Sequence, residues 1–184
     1  MEIIDTGIKD LLILKPKVFY DERGYFFESY NQNIFKEITG LDIDFVQDNQ
    51  SFSTKGVLRG LHYQVPPFDQ AKLVRVIKGK VLDVAVDLRV DSETFGRYYS
   101  VELSGKNNLQ FFIPSGFAHG FITLSKSAIF NYKCSGFYSK EHEGGVLYND
   151  EQLNIDWKLN PKSFIVSEKD LQLPVFGNNR PFIF

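Results

Sequence analysis

Two of the three histidines in this chain lie in segments that otherwise read as strands. His62 sits in Arg59-Gly60-Leu61-His62-Tyr63-Gln64, and His119 sits in Pro114-Ser115-Gly116-Phe117-Ala118-His119-Gly120. An imidazole titrates near neutrality, so it can take a proton from a reacting carbon or return one. A histidine in a strand is more often a satisfied structural residue, and the hexapeptide around His62 by itself favours that plain reading. Arg59 shifts the balance modestly, because a guanidinium in a core must have an anionic partner or ligand. Three further features are weak when taken alone. Tyr132 falls on the apolar face of a strand pattern, where most tyrosines are core residues with a bonded hydroxyl. Ser167-Glu168-Lys169-Asp170 and Glu141-His142-Glu143 are charge runs of a kind usually found solvated.

The turn residues Pro114 and Gly116 place His119 close to a strand start, a spacing that resembles the second short motif of cupin barrels. Metal-binding cupins supply H-x-H and a later glutamate from their first motif. Here that position is His62-Tyr63-Gln64, no carboxylate stands between Gln70 and Ile77, and Lys72 occupies the interval instead. Two histidines beside a cation make a poor zinc or iron site. The expectation is a metal-free barrel whose histidine is available for acid–base work.

These side chains must be held by β structure. Leu11–Phe19 is expected as a strand broken at Pro16, and hence at a sheet edge. A turn at Asp21-Glu22-Arg23-Gly24 precedes extended structure over Tyr25–Tyr30. Asn31–Thr39 is the best helix: Ile34, Phe35 and Ile38 share a face and Gly40 follows as a stop. Then come strands over Val57–Gln64, Leu73–Ile77 and Val81–Leu88, the last two expected to pair as a hairpin through Lys78-Gly79-Lys80. Within Val81–Leu88, Leu82, Val84, Val86 and Leu88 share one parity and Asp83 and Asp87 the other. Tyr98–Leu103, Gln110–Ile113, Gly120–Leu124 and Ser127–Tyr138 complete the set. Many short strands with Gly and Asn turns predict a mainly β fold, a jelly-roll barrel or sandwich with a few short peripheral helices. One domain over 1–184 is expected, with the jelly-roll core at about 45–140 and a C-terminal tail helical in short pieces.

Composition sets the outer limits. The 184 residues carry a net charge of −2 with 43% hydrophobic side chains, ordinary for a globular protein. The basic residues are dispersed, which argues against nucleic-acid or membrane-surface partners. The single cysteine, Cys134, allows neither an internal disulfide nor a zinc knuckle. No apolar run approaches 18 residues and no signal-peptide pattern is present, so a cytoplasmic location is expected.

Taken together, these residues closely resemble the dTDP-4-dehydrorhamnose 3,5-epimerase family. The likeness runs from Asp21-Glu22-Arg23-Gly24 through Gln47-Asp48-Asn49, Gly56-Val57-Leu58-Arg59-Gly60-Leu61-His62-Tyr63-Gln64, Lys72, Ile113 to Phe121 and Tyr132, and ends at Lys169-Asp170. Several motifs in the right order are far more specific than any one of them. The resemblance implies a cupin-like jelly roll, no cofactor, and a dTDP-4-keto-6-deoxyhexose as the small-molecule partner. It implies that His62 is the proton acceptor, with Asp170 as its hydrogen-bonded partner. Tyr132 would be the proton donor on the other face of the sugar, and Lys72 would stabilise the enolate at C4. Arg23, Arg59, His119 and Lys169 would bind diphosphate and sugar. Gln47, Asp48, Asn49, Glu28 and Glu143 would meet polar groups of nucleotide or sugar, the ring of Tyr138 would stack on thymine, and Phe26 belongs to the same binding set. A homodimer that exchanges N-terminal strands between barrels is also implied.

Alternatives remain at this level: an epimerase acting at C3 or C5 only, or a binding cupin without catalysis. The ketoisomerase relatives carry a second histidine after the base, and Tyr63-Gln64 argues against them. One detail resists an ideal strand. Arg59 and His62 have opposite parity, yet the site needs both, so a bulge is predicted at Gly60.

Overall fold

The computed structural model describes residues 1–182 of the chain. In chain order the elements are β1 (Glu2–Asp5), β2 (Leu12–Lys15), β3 (Phe19–Asp21), β4 (Gly24–Phe26), α1 (Gln32–Thr39), β5 (Gln47–Thr54), β6 (Leu58–Gln64), β7 (Lys72–Lys78) and β8 (Lys80–Asp87). They continue with β9 (Tyr98–Ser104), β10 (Gln110–Ile113), β11 (Phe117–Thr123), β12 (Ser127–Cys134), β13 (Glu143–Gly145) and α2 (Glu168–Leu171). One sheet has the order β1-β2-β10-β7-β12-β5 and the other β13-β6-β11-β8-β9, while β3 and β4 form a separate hairpin. The two sheets make the expected β-sandwich.

Three apolar clusters hold it. Between the sheets, Val74, Val76, Val81, Ala85, Phe111, Phe117, Phe121 and Phe130 are buried together. The outer face of the second sheet, through Leu58, Leu61, Leu82, Val84, Val86 and Ile122, is covered by Val146, Leu153 and Trp157 of the C-terminal segment. Outside the first sheet, Phe35 of α1 packs on Leu14, Leu73 and Phe112. Each such valine, leucine, isoleucine or phenylalanine contributes roughly 1.5–3 kcal/mol by leaving water. The helix begins and ends where the sequence places it: the Asn31 side chain accepts from the Asn33 and Ile34 N–H groups, and Gly40 caps the C-terminus at φ 71°.

Four local expectations are corrected. Lys78-Gly79-Lys80 does not close a hairpin, because β7 and β8 lie in different sheets. The turn instead carries the chain across the sandwich, and a Cβ on Gly79 would meet the Ser127 carbonyl oxygen at 2.1 Å. β2 is an inner strand between β1 and β10, with Pro16 just beyond its end, so the proline interrupts no ladder. The extended run over Tyr25–Tyr30 stops at Phe26, and that over Ser127–Tyr138 stops at Cys134. In addition β5, sequence QDNQSFST, carries no apolar alternation to announce it, yet its burial alternates along the strand. In β8 both faces are buried: the leucine and valine parity faces the C-terminal segment, while Asp83 and Asp87 share their parity with Val81 and Ala85 of the interior.

Candidate active site

The strands that carry the candidate residues face one another from different sheets. His62 on β6 and His119 on β11 are direct cross-strand partners, so both stand on one face of the second sheet. Lys72 on β7 and Tyr132 on β12 come from the first sheet, where Tyr132 is paired with Asn49 of β5 and Val74 of β7. Between these walls lies a cavity of about 580 Å³, lined by Arg59, His62, Lys72, His119, Tyr132, Lys169 and Asp170. The stacked rings of Phe121 and Phe130, 4.2 Å apart between centroids, give it an apolar floor. A second hollow of about 360 Å³ shares His62, Lys72 and Tyr132 and adds Gln47, Asn49, Cys134, Tyr138 and Glu143. The three shared residues make the two lobes one trough.

Arg59 reaches the cavity because β6 is irregular. His62 opposes His119 and Arg59 opposes Phe121, so Gly60 and Leu61 together face the single residue Gly120. That extra residue is a β-bulge, and it resets the parity between Arg59 and His62. Gly60 lies at φ 113°, and a Cβ there would sit 2.6 Å from the His119 carbonyl oxygen. Arg59 Nε donates to Ser53 Oγ at 3.2 Å, which ties the side chain to β5.

His62 Nε2 lies 2.7 Å from Asp170 Oδ1. The other oxygen, Asp170 Oδ2, accepts the Gly60 N–H at 3.2 Å, and Ser167 caps α2 by accepting the Asp170 N–H. Burial pushes the Asp170 carboxyl up, but the bonds from His62, Gly60 and Ser167 outweigh it and hold the group below the usual carboxylate range. An ionised Asp170 can only accept, so His62 donates from Nε2 and keeps its lone pair on Nδ1. On the opposite wall burial raises the Tyr132 phenol, which therefore stays protonated through neutral pH. Burial also lowers the Lys72 ammonium, and the charges of Asp83 and Glu143 partly restore it.

His119 Nε2 contacts Asp83 Oδ1 at 2.9 Å. Burial lowers the imidazole and raises the carboxyl, so His119 is held neutral. Asp83 is wholly buried, and sequence reasoning did not assign it to the site. Its signal was a carboxylate placed in the most apolar strand of the chain. At the mouth, Lys169 Nζ bonds both oxygens of Glu143 at 2.7 and 2.6 Å, and the Tyr138 hydroxyl donates to Glu143 Oε2 at 3.0 Å. A histidine base, a phenol on the facing wall, a buried ammonium and mouth cations suit proton transfer on an anionic substrate.

The profile of the dTDP-4-dehydrorhamnose 3,5-epimerase family matches residues 5–178. A dTDP-4-dehydrorhamnose 3,5-epimerase of Shigella flexneri is 55% identical over 184 residues, covering 100% of both chains. The crystal structure of dTDP-4-dehydrorhamnose 3,5-epimerase from Elizabethkingia anophelis superimposes with a TM-score of 0.93 at 56% identity, covering 96% of each chain. That of a dTDP-6-deoxy-D-glucose-3,5-epimerase from Legionella pneumophila, in complex with dTDP-4-keto-L-rhamnose, gives 0.91 at 50% identity, covering 95% of this chain and 92% of that one. The chain belongs to the dTDP-4-dehydrorhamnose 3,5-epimerase family.

The fold sorts by place the side chains to which the epimerase resemblance gave roles. His62, Tyr132, Lys72, Asp170, Arg59, His119 and Lys169 line the larger lobe, and Gln47, Asn49, Tyr138 and Glu143 the smaller. Asp48 is a correction: strand alternation turns it to the outer face, where it is exposed and paired with Lys133 Nζ at 2.9 Å. Within a single subunit Arg23, Phe26 and Glu28 lie apart from the trough. Arg23 bonds Asp21 on the β3–β4 hairpin with its side chain 90% exposed, and Phe26 is 70% exposed. Glu28 accepts from Asn31, and with Phe26 it borders a different hollow. None of the three lines this chain's trough.

Proposed function

We propose that the protein inverts C3 and C5 of dTDP-4-keto-6-deoxy-D-glucose to give dTDP-4-keto-L-rhamnose. His62 Nδ1 removes the proton beside the C4 ketone, which serves as the electron sink, so the substrate itself supplies the stabilisation that a cofactor would otherwise provide. Asp170 keeps the imidazole in the required tautomer and stabilises the imidazolium that forms. Lys72 meets the developing enolate oxygen, a contribution of roughly 10²–10³ in rate. Tyr132 returns a proton from the opposite wall. Facing sheets pack about 10 Å apart, which lets a sugar ring stand between base and acid. Arg59 and Lys169 take the diphosphate, Gln47, Asn49 and Glu143 meet nucleotide or sugar polar groups, His119 contacts the sugar, and Tyr138 stacks on the thymine. The observation that carries the proposal is the Asp170-bonded His62 on one sheet facing Tyr132 on the other, with Lys72 at the same trough.

Arg23, Phe26 and Glu28 enter the proposal through a homodimer in which each N-terminal hairpin serves the partner's barrel. The hairpin's exposed Phe19, Tyr20, Tyr25 and Phe26 are the apolar surface such an exchange would cover. Cytoplasmic location also belongs to the proposal; among the described residues no helix is long and apolar enough to cross a membrane.

The test is solvent deuterium exchange into the substrate, followed by NMR. Label at both C3 and C5 is expected, and label at one carbon would make this a single-site epimerase. His62→Ala should abolish exchange, whereas Tyr132→Phe should retain some exchange while inversion falls. Absence of exchange in the unmodified protein would overturn the assignment.

A further inference from the structure

We infer that Gln64 is a positioning residue that sets the ring of Tyr138 at the mouth of the trough. The inference rests on the reading of Tyr138 as the platform for the base. Gln64 stands two residues after His62 and is 5% exposed. Its amide has two donor hydrogens, and both are used: Nε2 donates to the Phe68 carbonyl at 2.6 Å and to the Phe137 carbonyl at 3.1 Å. Its Oε1 accepts the Ser139 N–H at 2.6 Å. One side chain therefore grips the backbone on both sides of Tyr138 and ties it to the loop after β6.

The chemistry of the amide fits this task and that of a metal ligand does not. A carboxylate offers no donor for two carbonyls, and a neutral imidazole offers only one. The position where metal-binding cupins place their second histidine has become a backbone clamp. Tyr138 needs one, because the residue is 56% exposed and packing does little to hold it. The Tyr138 hydroxyl bond to Glu143 fixes only the far end of the side chain. A neighbouring amide reinforces the clamp: Gln70 Nε2 donates to the Gly136 carbonyl at 2.6 Å. An aromatic platform held in place before the ligand arrives spends less of its binding energy on ordering.

Gln64→Met keeps the length of the side chain and removes all three bonds. Binding of dTDP and of inorganic pyrophosphate is measured by calorimetric titration, in the unmodified and the Tyr138→Ala backgrounds. The dTDP affinity should fall about tenfold, the net worth of one or two hydrogen bonds, with pyrophosphate binding unchanged. KM should rise while kcat stays within about twofold, since ground-state positioning is lost rather than chemistry. In the Tyr138→Ala background the same change should cost less than about twofold, because the two residues act through one ring. Unchanged dTDP binding in Gln64→Met, or a full additional loss in Tyr138→Ala, overturns the clamp. If Tyr138→Ala itself leaves dTDP binding intact, the platform reading fails instead. Should Gln64→Met not fold, Gln64→Glu keeps the Ser139 contact, loses both donors, and is judged by the same measurements.

Discussion

In the proposed mechanism His62, Lys72 and Tyr132 divide the work of proton transfer because their surroundings differ. Asp170 stays ionised, since the bonds it accepts outweigh its burial, and it commits His62 to one tautomer. Burial raises the Tyr132 phenol, which keeps a proton to deliver, and it lowers the Lys72 ammonium. The last shift has a direction that can be measured. Lys72 must be charged to meet an enolate, and its depressed value means the charge is lost at a lower pH than for an ordinary lysine. The alkaline limb of the kcat profile should therefore begin below the usual lysine range. Lys72→Arg, whose guanidinium stays charged, should remove that limb, and Lys72→Met should cost roughly 10²–10³ in kcat at neutral pH. A profile of Lys72→Arg that keeps the same alkaline limb would assign it to another group.

β6 is the strand on which the site depends, because it presents Arg59 and His62 to one cavity despite their spacing. The extra residue at Gly60-Leu61 opposite Gly120 makes that possible. Only glycine suits the position: its φ is 113°, and a Cβ would lie 2.6 Å from the His119 carbonyl and 2.7 Å from Gly120 Cα. Gly60→Ala should destabilise the protein by about 1–3 kcal/mol from backbone strain alone, with the clash added, visible as a lower urea midpoint. The same variant should lose activity out of proportion to its stability, since the Gly60 N–H also holds Asp170 Oδ2. A fully active Gly60→Ala enzyme would remove the bulge from the argument.

At the scale of the whole molecule, the β3–β4 hairpin leaves Arg23 and Phe26 outside the lining of their own trough and exposed. Exchange of hairpins in a dimer predicts complementation. His62→Ala and Arg23→Ala proteins, each impaired alone, should recover activity when unfolded and refolded together, because a mixed dimer contains one trough with both residues intact. No recovery in the mixture, with dimers verified by sedimentation, would overturn the exchange of hairpins. The trough itself joins two sheets, so the placing of His62 against Tyr132 depends on the packing of the Phe121 and Phe130 floor between them.

Much of this was legible in the residues. The turn and cap residues announced α1, alternation announced most strands, and the parity conflict between Arg59 and His62 announced the bulge, because each depends on local backbone chemistry. The order of motifs announced the family. Sheet membership was not legible: Lys78-Gly79-Lys80 looks like a hairpin, and only the course of β8 into the other sheet makes it a crossover. Nor was the inward direction of Asp83, since a strand covered on both faces hides which parity looks into the barrel. β5 escaped because the residues it turns to the trough are polar, so no apolar alternation marks it. The sequence by itself determined which side chains could carry the chemistry, through their types and their local backbone demands. Tertiary structure alone decided which of them meet, because the contacts of His62 with Asp170 and of His119 with Asp83 span 108 and 36 residues and exist only once the sheets have packed.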